Sequence, residues 1–74
     1  MEELLELLED FKDDVDWDAE DLVDSKQLNS LDVLQIISII NEEYDITVTA
    51  AEIIPENFNS VKSLWAMIER LQED

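Results

Sequence analysis

Between Leu31 and Tyr44 apolar residues return at every third or fourth position. Stepped at about 100° per residue, Val33, Ile36, Ile37, Ile40 and Tyr44 fall on one face with Leu34 at its margin. Asp32, Gln35, Ser38, Glu42 and Glu43 fall on the other. This segment predicts an amphipathic helix whose apolar stripe needs a core to pack on. Two apolar residues, Leu31 and Ile39, lie among the polar positions. In a free monomer they are expected to be at least partly exposed as partner contacts, alongside Asp32, Gln35, Glu42 and Glu43, unless a flanking loop covers them.

The rest of the chain supplies the packing partners. From Glu2 to about Asp13, Leu4, Leu8 and Phe11 recur at helical spacing with Val15 continuing the series, and Leu5 and Leu7 widen the stripe. Asp13 to Gln27 has no sustained period and reads as a long loop with one turn near Ala19 to Leu22, pinned to the core by Trp17, Leu22, Val23 and Leu28. Ile46-Thr47-Val48 is β-branched but has no second strand to pair with, so it reads as an extended connection. Thr49 and Glu52 carry the spacing of a capping box for a short helix, with Ile53 and Ile54 turned inward and Pro55 stopping it. A last helix follows in which Val61, Leu64, Trp65, Ile68 and Leu71 share a face, capped by Asn59 or Ser60, with Phe58 and Trp65 in the core. The expected fold is all-α: an irregular bundle of three main helices plus one short helix, a single domain over residues 1–74.

Composition narrows the chemistry. Seventy-four residues give room for one core and no buried cavity that would enclose a sizeable substrate. There is no Cys, no His and no Gly, which excludes disulfides, thiolate nucleophiles, a His base and a glycine loop around phosphate. Asp14, Asp16 and Asp18 imitate the start of a calcium loop. The Gly, apolar and Glu positions that such a loop needs are Ala19, Asp21 and Ser25, so no metal site is expected and a cation-responsive acidic protein remains a minor alternative. Four Lys/Arg against 21 Asp/Glu leave a net charge of −17, which repels nucleic acid and anionic membranes and favours partners with basic surfaces. No apolar run is long enough to span a bilayer and the first residues are acidic, so an intracellular, cytoplasmic monomer is expected. Carboxylates on exposed faces, without a groove to converge on, give no basis for catalysis.

The remaining feature is the serine that opens the second helix. With Asn29 as N-cap, its side-chain oxygen accepts from the Asp32 N–H and Ser30 takes the first helical position, its hydroxyl free and outward. An anion built on that oxygen would meet the positive end of the helix dipole. On position alone, a serine beside a helix start is far more often a structural cap or a bystander than an attachment point.

Over nearly its full length the chain resembles the acyl carrier protein family, including peptidyl carrier-like domains. The resemblance rests on the acidic first helix, the long loop, Ser30-Leu31-Asp32, the run Asn41-Glu42-Glu43-Tyr44-Asp45-Ile46, the short helix before Pro55, and Phe58-Asn59-Ser60-Val61. Asp45-Ile46 and the segment from Pro55 to Ser60 are similar to stand-alone carriers of the D-alanyl type. The resemblance implies a non-catalytic carrier with 4′-phosphopantetheine on Ser30 and an acyl or aminoacyl thioester on the arm. It also implies as partners a phosphopantetheinyl transferase and acyl-loading and acyl-transfer enzymes that read Leu31, Asp32, Glu42 and Glu43. Asn29 stands where the family usually has an acidic residue, Lys26 and Gln27 where a Gly is common, and Gln35 and Asn41 are neutral where many members are acidic. Asn29 leaves one alternative: an unmodified carrier-like acidic module for protein interaction.

Overall fold

The structure is a computed structural model and describes residues 2–73. Three long helices carry the bundle: α1 (Glu2–Phe11), α2 (Ser30–Tyr44) and, after the one-turn α3 (Pro55–Phe58), α4 (Val61–Gln72). A 3₁₀ turn at Ala50–Glu52 precedes α3, and the described residues include no strand. No helix among them is long and apolar enough to cross a membrane.

The core follows the apolar stripes. Leu4 and Leu8 of α1, Ile36, Ile37 and Ile40 of α2, and Val61, Leu64, Met67 and Ile68 of α4 are buried together. The first loop contributes Val15, Trp17, Leu22 and Leu28, so it is packed as part of the core, with turns at residues 13–14, 17–18 and 22–26. α1 ends at Phe11, short of the expected Asp13: the Lys12 carbonyl accepts instead from Trp17 Nε1 at 2.9 Å, turning the chain inward. Residues 46–48 belong to neither helix nor strand, in line with the expected connection, with Val48 buried and its N–H donating to Asn41 Oδ1 at 3.1 Å.

The segment from Thr49 to Ser60 departs most from expectation. The Thr49 side chain makes no cap hydrogen bond, so the expected capping box is absent. Glu52 is instead held by Arg70 of α4 through two bonds of 2.8 and 2.9 Å, and its carbonyl accepts from Asn57 Nδ2 at 2.7 Å. Pro55 opens a helix as well as closing the preceding turn; its missing N–H costs nothing at a first helical position. Ile53 and Ile54 are exposed, not inward, because the 3₁₀ turn and the switch into α3 give them no common buried face.

At the start of α4, Ser60 is the cap: its Oγ accepts from the Ser63 N–H at 3.0 Å and donates to Ser63 Oγ at 2.9 Å. Phe58 is buried as expected, whereas Trp65 is only half-buried and meets Tyr44 edge to face with ring centroids 5.8 Å apart. Met67 fills the core beside Ile68. The Tyr44 hydroxyl oxygen is buried with no hydrogen bond among the described residues, and burial pushes the phenol's pKa up.

Candidate functional site

The long loop delivers the chain to α2 through bonds from distant residues. Asn59 receives it: the Leu22 N–H donates to the Asn59 carbonyl at 2.8 Å, and the Val23 and Asp24 N–H groups donate to Asn59 Oδ1 at 3.0 and 3.1 Å. The Leu28 N–H then returns to the Leu22 carbonyl at 3.0 Å, closing the loop on itself. To make that return Lys26 takes φ 68°, a left-handed conformation that glycine adopts without steric penalty. The carrier resemblance places a Gly in this segment, and here Lys26 takes the left-handed position itself.

Asn29 is extended (φ −98°, ψ 179°) and caps α2 as expected, its Oδ1 accepting from the Asp32 N–H at 2.8 Å. The return bond was not anticipated: Asp32 Oδ2 accepts from the Asn29 N–H at 3.2 Å, so the two side chains form a reciprocal capping box with Asp in the place usually taken by Glu or Gln. The same oxygen accepts from Lys12 Nζ at 2.9 Å. The Lys12 ammonium, with help from the Asn29 N–H, holds the Asp32 carboxyl below its ordinary pKa, and Asp32 in turn raises that of Lys12.

Asp32 is therefore a correction. Helical angle alone put it on the outward polar face, but it is only 8% exposed and its charge is met from within the chain. The end of α1 approaches α2 there, which spacing along α2 does not reveal.

Ser30 occupies the first position of α2 and is exposed, and its hydroxyl makes no hydrogen bond among the described residues. Because Asn29 serves as cap, the serine is left over, next to the Ser30 and Leu31 N–H groups that a helix start cannot pair internally. Leu31 beside it is 62% exposed and Leu34, one turn on, 57%. Gln35, Glu42 and Glu43 are exposed and Ile39 is half-buried, so no loop covers Leu31 and one side of Ile39 stays open. Glu42 stands twelve positions from Ser30, roughly 18 Å along the axis at the usual helical rise. Of the expected partner residues, Leu31 thus stands at the serine and the two glutamates at the far end, with Gln35 and Ile39 between them.

An open groove of about 450 Å³ lies beside Ser30. Val23 and Leu28 of the loop, Val33 and Leu34 of α2, and Ile53, Ile54, Pro55 and Phe58 from the α3 side line it with Asn29 and Ser30. Chain length argues against an enclosed cavity for a sizeable substrate, and this groove is open to solvent. The sequence signal for it is the apolar pair Ile53-Ile54, which spacing places inward and the structure leaves exposed beside Pro55. No carboxylate lines the groove. Among the described residues no His, Cys, Asp or Glu cluster is arranged to hold a metal, and Asp16 Oδ1 of the calcium-loop look-alike accepts the Asp18 N–H at 3.2 Å.

A capped helix start with a spare, exposed serine, on a small acidic helical bundle, has the form of a phosphopantetheine carrier. The sequence profile described as "Phosphopantetheine attachment site" matches residues 2–68, and the chain belongs to that family, whose cofactor is covalently attached 4′-phosphopantetheine. It is 29% identical over 66 residues to the D-alanyl carrier protein of Lactobacillus delbrueckii subsp. bulgaricus, covering 89% of this chain and 79% of that protein. Over 41 residues, 55% of this chain, it is 39% identical to aminoacyl carrier protein 1 of Bradyrhizobium diazoefficiens; the match spans only 46% of the latter's length. No solved structure matches the chain significantly.

Proposed function

We propose that this protein is a non-catalytic carrier that bears 4′-phosphopantetheine on Ser30 Oγ and presents an acyl or aminoacyl group, held as a thioester on the arm, to several enzymes in turn. The observation that carries the reading is the division of labour at Asn29 and Ser30: the asparagine closes the helix, and the serine hydroxyl is exposed and unbonded at its positive end. A phosphodiester there gains from the dipole and from the unpaired N–H groups. The arm turns separate diffusional encounters into tethered ones at high effective concentration.

Similarity to D-alanyl and aminoacyl carriers favours an amino acid as cargo, while the apolar groove beside Ser30 would also suit the arm or an acyl chain of fatty-acid or polyketide type. Partners are a phosphopantetheinyl transferase and acyl- or aminoacyl-handling enzymes whose basic surfaces meet Glu42 and Glu43 and whose apolar groups meet Leu31 and Ile39, with Gln35 between them. Such work belongs in the cytoplasm. Co-expression with a broad-specificity phosphopantetheinyl transferase, followed by intact-mass measurement, tests the reading. The expected result is a mass gain of one phosphopantetheine that disappears in Ser30→Ala; no gain, or a gain that survives the substitution, overturns it.

A further inference from the structure

Net charge conceals how little unpaired charge α2 offers near its serine. Asp32 is the one acidic residue in the first turn of α2. From Asn29 to Asn41 the sequence holds no other carboxylate, and Glu42 and Glu43 lie at the far end. Asp32 itself is already met by Lys12, which comes from twenty positions away and bonds it at 2.9 Å. In a chain with four Lys/Arg, one is committed to the only carboxylate at the start of this helix.

We propose that Lys12 is an internal competitor for Asp32: it occupies the carboxylate that a partner's cation would otherwise pair with, and so sets how strongly the Ser30 end of α2 is read by charge. The proposal rests on Ser30 as the modified residue. The two side chains are unequal, since the lysine's is 30% exposed and the aspartate's 12%. Lys12 can therefore swing into water on its flexible stem, whereas Asp32 stays fixed by its bond from the Asn29 N–H. A partner either displaces Lys12 or leaves the pair intact and docks through the exposed Leu31 and Leu34. Lys12 is thus a specificity-determining residue that touches neither arm nor cargo.

The test uses the unmodified full chain, coenzyme A and a broad-specificity phosphopantetheinyl transferase, with KM measured across a range of NaCl concentrations. Lys12→Met keeps most of the stem and removes the charge. Lys62→Met removes an equal charge from a lysine that makes no ion pair among the described residues. Lys12→Met is expected to lower KM at low salt several-fold more than Lys62→Met does and to steepen its rise with salt. In an Asp32→Asn background the substitution at Lys12 should have no more effect than that at Lys62. Lys12→Arg, which keeps the pair through a forked guanidinium, should hold KM at or above the wild-type value and serves if Lys12→Met fails to fold.

Equal effects of the two methionine variants, a Lys12 effect that persists without Asp32, or a lowered KM in Lys12→Arg would each overturn the proposal while leaving Ser30 as the site. A wild-type chain that gains no mass overturns the Ser30 reading itself and removes the basis of this one.

Discussion

Two serines stand at the starts of two long helices, and their hydroxyls have opposite fates. Ser60 is the N-cap of α4, buried, and its oxygen is engaged with Ser63 twice. Ser30 sits one position later relative to its helix, is exposed, and is relieved of capping by Asn29. The comparison shows that availability for chemistry is decided by the neighbour: a side chain with its own acceptor immediately before the serine takes over the structural task.

The largest effects separate the two serines outright. Ser30→Ala should abolish phosphopantetheine incorporation and leave the melting temperature nearly unchanged, because no bond is lost. Ser60→Ala should do the reverse, costing about 1 kcal/mol in urea unfolding with the mass gain retained. A Ser30→Ala chain as destabilised as Ser60→Ala would erase the distinction.

Next in size is Asn29→Ala. With the cap removed and the Asp32 N–H left without its partner, a loss of about 1–2 kcal/mol is expected in the same assay. A loss near zero would mean that Ser30 has stepped back to cap the helix, and slowed modification would then accompany the retained stability.

Asp32→Asn should cost less, and its cost should depend on pH. The Lys12 ammonium and the Asn29 N–H hold the Asp32 pKa below its ordinary 3.8. The stabilisation is therefore full above that value and lost as pH falls through the lower, folded-state pKa. The stability gap between wild type and Asp32→Asn should be steady near neutrality and close in strong acid. A gap unchanged at low pH would show that the carboxylate's charge has no part in the cap.

The smallest effect concerns the approach to each helix. Asn59, before Ser60, is in an ordinary right-handed conformation, whereas the route to Asn29 passes through Lys26 at φ 68°. Lys26→Gly should relieve that strain, and after the greater chain entropy of glycine in the unfolded state a gain of about 0.5 kcal/mol is expected. Destabilisation would mean that the lysine stem packs on the loop and outweighs the backbone cost.

These outcomes bear on why some of the site was legible and some was not. Asn29 as cap and Ser30 as first helical residue could be read directly, because a capping bond joins groups three positions apart. The stripe Ile36, Ile37, Ile40 was equally readable, being a property of one helix. Lys12 on Asp32 and Asn59 on the first loop join residues 20 and 35–37 positions apart, and nothing in local spacing marks them. Ile53 and Ile54 were misplaced for a related reason: an apolar pair signals burial only where a regular helix gives the pair a common face. The exposed Ile53 and Ile54 instead form part of the far wall of the groove beside Ser30.

The bonds to Asn59 also impose an order on events during synthesis. Residues 22–24 have their hydrogen-bonding partner in a residue made 35 or more positions later. While a ribosome is still extending the chain towards α4, α1 and α2 can form as local helices, but residues 22–24 of the loop that leads to Ser30 still lack the Asn59 groups they donate to. Its final geometry is the product of a late, long-range closure. An enzyme that recognises the loop's shape together with the serine would therefore meet its substrate only after Asn59 had emerged and docked, and incomplete chains would be passed over.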